Sequence, residues 1–320
     1  MSKETILQKV ENRIANFKEV NRYLDVYTGW FPNILGKSNF YLPAQNVSDL
    51  EVKISTRAEL EMYNFTKMDD GYYKDYEKNS PYSFRLYYSG VRGVMNDFYT
   101  LMFILDMFQR KQDLRMTVSE KELREEMKID IHDTLAVKRL RQSVTNLRNT
   151  RFNLDIRNHN NEEMSFFVWM LGSAVEKKPG KWFAKDTLYY FQLDELFQVL
   201  FAFDKFSLMD LDVFTSLGNN NHAKRFFVYL QSNSKDCHLG KDQVVTMMNP
   251  KTTRNKQTIS ETRKKAFDVL KERNILQDYH LSDNDRFYFR YRNKTMDALK
   301  ETINCKQEQR RLRRRKFIGI

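Results

Sequence analysis

Cysteine is almost missing from this chain of 320 residues, with only Cys237 and Cys305 present. Two thiols cannot build a disulfide framework, and their scarcity fits a reducing compartment. Histidine is sparse as well. His132, His159, His222, His238 and His280 are scattered, none at metal-ligand spacing, and the adjacent Cys237 and His238 have no second cluster to complete a zinc site. Long apolar runs are also lacking. The longest, residues 99–105 and 166–171, fall far short of the roughly 20 residues that a membrane-spanning helix needs. The opening MSKETILQKVENR has no continuous apolar core of the secretory kind. A soluble, cytoplasmic protein with no membrane partner is therefore expected. Acidic residues are the last deficit: 42 Asp and Glu face 54 Lys and Arg, for a formal charge of +12. That balance favours a polyanionic partner, and nucleic acid is the commonest soluble one.

Signs of catalysis are equally thin. Gly36-Lys37-Ser38 resembles the end of a phosphate loop, yet the glycine required five residues earlier is Phe31, with Pro32 beside it. The paired carboxylates Asp69-Asp70 and Asp210 with Asp212 lie in turn-like surroundings. Two histidines flanking one hydrophobic residue, the pattern of rolling-circle nicking enzymes, do not occur. A binding protein without a cofactor is expected, not an enzyme.

What is present is organised around residues 252–291. Ile259, Ala266, Phe267, Val269 and Leu270 recur at helical spacing and make one apolar face, with Lys256, Gln257, Ser260, Glu261, Lys264 and Lys265 mainly opposite. Residues 275–279 and 286–290 then alternate as paired strands around the turn sequence LSDND. A basic helix followed by a hairpin fits a winged helix-turn-helix, and equally an ordinary amphipathic helix and hairpin with a solvated face. Two helices precede it, residues 222–231 with Ala223, Phe226, Phe227 and Leu230 inward, and residues 241–248.

The same order occurs earlier. Residues 96–108 predict a helix buried on most sides. Residues 118–127 predict a short one with Ser119 as N-cap and Glu122 completing a capping box. Residues 133–148 predict a third, with Ala136, Val137, Leu140, Val144 and Leu147 inward and Lys138, Arg141, Gln142 and Thr145 outward. Strands are expected at 152–156, 165–175 and 182–191, with the turn KKPGK at 177–181 as a wing that touches phosphates, or as a plain exposed turn. No sequence identity links the two copies, so the repeat is one of architecture.

Before residue 83 the pattern is weaker. A helix is expected over 5–24, then an irregular stretch broken by Pro32, Pro43 and Pro81, with strands near 52–54 and 72–76. The end of the chain, QEQRRLRRRKF, reads as a solvated basic tail that attracts phosphate without sequence preference. The fold class expected is α+β: tandem winged helix-turn-helix domains at 83–203 and 204–293, with an N-terminal arm or subdomain at 1–82 and a basic tail at 294–320.

The doubled helix, helix, basic helix and hairpin pattern resembles the plasmid replication initiator proteins built from two winged-helix domains. The resemblance covers roughly residues 83–292 and is carried best by 207–232 (SLMDLDVFTSLGNNNHAKRFFVYLQS) and 257–274. The long arm and basic tail depart from it. It implies sequence-specific binding of double-stranded DNA at repeated origin sites, initiation of replication, a homodimer through the first domain that represses its own promoter, and host replication proteins as further partners. Independently of any family, a third helix fits a major groove, where Gln257, Ser260, Glu261 and Lys264 are placed to meet base edges. Arg254, Lys256 and Lys265 are the phosphate contacts, which fix register without reading sequence. Lys138, Arg141, Gln142 and Thr145 are the weaker set, since in the resembled family the first domain serves subunit and backbone contacts. Two rival readings stand beside this one. One is a transcriptional regulator with the same fold. The other is a structural or interaction protein that coats nucleic acid without sequence preference, in an RNA-binding form stacking bases on Tyr72, Tyr73 and Tyr76.

Overall fold

The computed structural model describes residues 28–43, 55–74, 82–111, 113–171, 173–177, 187–194, 206–233, 235–248 and 256–292, with isolated positions beside them. Strand β1 (Thr28–Pro32) runs into the one-turn helix α1 (Asn33–Gly36), and β2 (Ser55–Glu59), β3 (Thr66–Lys67), β4 (Tyr73–Lys74) and β5 (Tyr82–Gly90) follow. Next come α2 (Met95–Lys111), β6 (Arg115–Ser119), α3 (Glu120–Glu126), α4 (Thr134–Arg148), β7 (Arg151–Asn158), β8 (Glu163–Trp169), β9 (Ser173–Lys177) and β10 (Leu188–Gln192). The last third holds β11 (Phe206–Asp210), α5 (Leu211–Ser216), α6 (Asn221–Gln231), β12 (Lys235–Gly240), α7 (Lys241–Met247), α8 (Lys256–Glu272), β13 (Leu276–Leu281) and β14 (Arg286–Arg292). The class is α+β, with every paired strand antiparallel. Among the described residues no helix is long and apolar enough to cross a membrane.

One topology occurs twice. Helix, strand, helix, helix and hairpin occur in the order α2, β6, α3, α4, β9–β10, with β7 and β8 inserted before the hairpin, and again as α6, β12, α7, α8, β13–β14 without an insertion. Both three-stranded sheets have the hairpin's second strand in the middle, in the orders β6–β10–β9 and β12–β14–β13. In the first copy Met116 and Val118 of β6 point into the core while Arg115 and Thr117 point out, the period-2 pattern of a half-buried strand. Helix α2 is apolar on most of its circumference, as expected: Phe98, Leu101, Met102, Ile104, Leu105, Met107 and Phe108 are all buried.

Three sequence expectations need correction. Val118 and Ser119 belong to β6, not to the helix; Ser119 still caps α3 by accepting a hydrogen bond from the Glu122 amide at 3.0 Å. The run 165–175 is two strands, β8 and β9, which join different sheets. The last strand, expected at 182–191, is β10 at Leu188–Gln192; it pairs with β9 across the expected wing position, while the hairpin β7–β8 pairs with β5 in a separate sheet. Of the turn KKPGK only Lys177 is described, at the end of β9. The helix expected over 5–24, apart from Gln8, the strand at 52–54 and the tail beyond residue 301 lie outside the described residues.

The stretch before β5 packs on helices of both copies: Phe31 of β1 meets Phe98 of α2 at 5.6 Å, and α6 reaches the corner that follows β1. Strand β1 pairs with β11 from Thr28↔Asp210 to Pro32↔Phe206, and β2 and β4 both pair with β5. The Arg225 guanidinium, buried in α6, donates to the carbonyls of Gly36 and Ser38 and lies 5.8 Å from the Tyr63 ring. Burial pulls its pKa down to about 10. Gly36 sits so close that a Cβ there would come within 1.9 Å of the Ser232 hydroxyl. Gly36-Lys37-Ser38 is thus a packing corner, with Lys37 buried over the Phe65 ring at 5.2 Å.

Candidate nucleic-acid interface

Helix α8 is held by one side chain more than any other. Phe267 is fully buried and meets Phe226 of α6 at 4.7 Å, Tyr279 of β13 at 4.7 Å and Phe289 of β14 at 5.2 Å, each edge to face. Ala266 and Leu270 complete its inward face. Aromatic pairs of this kind add about 0.5–1.5 kcal/mol each beyond area burial. They fix the helix to its neighbour and to the hairpin together. On the exposed side lie Ser260, Glu261, Lys264 and Lys265, as the spacing predicts. Lys256 and Gln257 lie in the first turn of α8, and Arg254 falls outside the described residues.

The hairpin beside α8 is pinned at both ends. Lys271 meets Asp278 at 2.9 Å, and Lys241 at the start of α7 meets Asp285 in the turn at 3.1 Å. Both pairs are solvent-exposed, so they orient side chains more than they stabilise the fold. Asp285 takes φ 53, a left-handed turn position that Asp tolerates. Arg286, Tyr288 and Arg290 then alternate outward along β14 while Phe287 and Phe289 point in.

Helix α4 presents a different surface. Lys138, Arg141, Gln142, Thr145 and Arg148 are exposed, and the helix contains no acidic residue. The corresponding face of α8 mixes Lys264 and Lys265 with Glu261 and Glu272. Arg141 is held rigidly: its Nε and Nη2 donate to the two oxygens of buried Glu120 at 2.7 and 2.8 Å. The Tyr189 hydroxyl of β10 donates to the same carboxylate at 3.0 Å. Burial by itself raises the Glu120 pKa, but the hydrogen bonds from Arg141 and Tyr189 outweigh it and the net shift is downward. A bidentate clamp of this geometry ties α4, the start of α3 and the middle strand of the sheet. Gln142 donates to Asn146 at 2.9 Å, and the Thr145 hydroxyl turns back to the Arg141 carbonyl at 3.0 Å. Lys138 extends from the helix with no acidic partner among the described residues.

No protein-family model matches the chain, and no curated protein matches it. Among solved structures it is similar to domains 2 and 3 of RctB. That likeness covers 76% of this chain and 93% of the other at 11% identity, with a TM-score of 0.45. It is too loose to bear on function.

The structure brings Lys138, Arg141, Gln142 and Thr145 of α4, and Ser260, Glu261, Lys264 and Lys265 of α8, to the exposed sides of corresponding helices. It also adds residues that helical spacing did not single out. Arg263 lies at the margin of the α8 exposed face, its guanidinium over the Phe287 ring at 4.6 Å and donating to the Ser260 hydroxyl at 3.0 Å. Arg148 lies on the α4 face, and Arg286 and Arg290 lie on β14. The alternation RFYFRYR in β14 already places the last two on one side.

Proposed function

We propose that this chain binds double-stranded DNA with sequence specificity through two winged helix-turn-helix units, each offering its third helix, α4 or α8, to a major groove. One observation supports the reading: helix, strand, helix, helix and hairpin, with the same sheet order, occur twice and in both cases leave a polar, lysine-bearing third-helix face exposed. The formal charge of +12 supplies the long-range attraction to phosphate. In the proposal Ser260, Glu261, Lys264 and Gln257 of α8 meet base edges, and Lys256, Lys265 and Arg254 hold phosphates. Lys138, Arg141, Gln142 and Thr145 of α4 do the same in the first unit, where the absence of acidic residues favours backbone contacts. The chain acts by binding and not by catalysis.

The finer reading follows the resemblance to plasmid replication initiators: repeated sites at an origin, initiation of replication, autorepression by a dimer formed through the first unit, and host replication proteins as partners. A transcriptional regulator would share all of the DNA chemistry, and a plasmid-maintenance assay separates the two. The test of the DNA reading is selection of bound duplexes from a random pool at low and moderate salt. Enrichment of one motif that survives added salt supports it. No enrichment, with affinity collapsing as salt rises, leaves a nonspecific nucleic-acid coat instead.

A further inference from the structure

The sheet that contains β5, β7 and β8 has one face in the core; on the other, Asn153 and Asp155 of the central strand are covered by neighbouring side chains, and the rings of the edge strand β8 are exposed. Inward, Phe84, Leu86, Phe152, Leu154, Phe166 and Val168 are buried, with Phe152 edge-on to Phe40 at 4.9 Å. Outward, the register sets Trp169 beside Arg151, Phe167 beside Asn153 and Ser165 beside Asp155. On the other flank of β7, Arg85 of β5 stands beside Asp155 and Tyr87 beside Asn153. Strand β8 is the last in this sheet among the described residues, and Phe167 and Trp169 stand 54% and 42% exposed.

The arginines here are stacked and aimed. Arg151 lies 5.9 Å from the Phe167 ring and 5.6 Å from the Trp169 ring. Arg57 lies 4.1 Å from the Tyr87 ring, and Arg85 and Arg157 lie 4.2 and 4.0 Å from Tyr72. Asp155, only 8% exposed in its side chain, anchors Arg57 at 3.3 Å and Arg85 at 3.9 Å and accepts from the Ser165 hydroxyl at 2.6 Å. Arg151 meets no carboxylate among the described residues.

We propose that this outward face, with Phe167, Trp169 and Arg151 at its centre and Arg57 and Arg85 beside them, binds single-stranded DNA. Rings at positions i and i+2 of a strand are about 7 Å apart. That spacing suits splayed bases better than stacked ones, and bases paired within a duplex do not offer their faces. Exposed aromatic rings for bases beside guanidiniums for phosphates are the general chemistry of single-strand recognition. A second copy of this chain is the less suitable occupant, because a two-fold contact centred on Arg151 would bring the two copies' arginines together with no carboxylate among the described residues beside Arg151 to offset them. The choice of DNA over RNA rests on the duplex reading above, in which the exposed faces of α4 and α8 already take DNA. Tyr72, expected from sequence as an exposed stacking residue, is instead buried beneath Arg85 and Arg157, and Tyr73 is buried in the core.

The test is fluorescence anisotropy on the full chain, with a labelled mixed-sequence 20-nucleotide DNA, the RNA of the same sequence, and a duplex. Phe167→Ala/Trp169→Ala should weaken single-stranded DNA binding by about 5- to 150-fold for each stacked base lost, and leave duplex binding unchanged. Arg151→Ala should weaken it too, and Phe167→Tyr should retain it. Equal single-strand affinity in wild type and the double variant overturns the proposal, as does tighter binding of the RNA. A dimer that the double variant dissociates, with strand binding untouched, overturns it in favour of a self-interface. Absence of duplex binding in the wild type would sink the duplex reading alone, because the single-strand arms are read without it.

Discussion

Asp97 offers a quantitative test of how the first repeat is held together. Its carboxyl, 2% exposed in the first turn of α2, accepts from the Val94 amide at 3.2 Å and from Asn146 of α4 at 3.2 Å. Asn96 donates to the Ser143 hydroxyl at 2.9 Å beside it. Burial dominates over these bonds and raises the Asp97 pKa from 3.8 to about 6. The native state therefore binds this proton more tightly than the unfolded chain does. Its contribution is fully present below the unfolded value and is lost as pH rises through the folded one. The whole span is worth about 3 kcal/mol, of which about 1 kcal/mol is lost between pH 5 and pH 8. Asp97→Asn removes the titration while keeping one oxygen for the donors Ser143, Val94 and Asn146, and costs about 1 kcal/mol in hydrogen bonding at low pH. The expected outcome is a wild type that loses ground to the variant as pH rises. Urea unfolding of both proteins across that pH range measures it, and every other titrating group cancels in the difference. Parallel pH profiles for the two proteins would refute the reasoning.

Three further outcomes follow from other contacts. Phe267→Ala should cost about 3–5 kcal/mol, a large part of a typical domain's stability, and free α8 from its hairpin; a loss below about 1 kcal/mol in urea unfolding would show that α8 is held otherwise. Gly36→Ala forces a Cβ against Ser232 and to within 2.7 Å of the Phe31 ring, and should destabilise by about 1–3 kcal/mol, visible as a lowered Tm. Lys264→Ala should relax specificity at one base position and cost about 1–3 kcal/mol, whereas a uniform loss across sequences would make it a phosphate contact.

The helices were legible because their signals are local. The apolar spacing of Ala266, Phe267 and Leu270 marks α8, and Ser119 marks the start of α3. What the sequence hid depends on pairing. The run SFFVWMLGSAV is continuously apolar from Phe166 to Leu171 and only briefly broken by Gly172 and Ser173, so periodicity cannot tell that the chain leaves one sheet after Trp169 and enters another at Ser173. Strand β6 is five residues long and ends on a capping serine, so its strand character shows only when β10 is beside it. For the binding surfaces, the outward residues of α4 and α8 could be picked out one by one. The clamp between Arg141 and Glu120 and the meeting of Arg57, Arg85 and Asp155 could not, because the partners come from separate elements.

In the proposed mode of binding, both repeated units place a third helix on one duplex. The most direct measurement is a methylation-protection footprint on a duplex recovered by selection, read for the wild type, Lys138→Ala and Lys264→Ala. The account predicts two protected major-groove segments about one helical turn or a multiple of it apart, one weakened by each substitution. A single protected segment indifferent to both substitutions, or uniform protection with no selectable site, would contradict it.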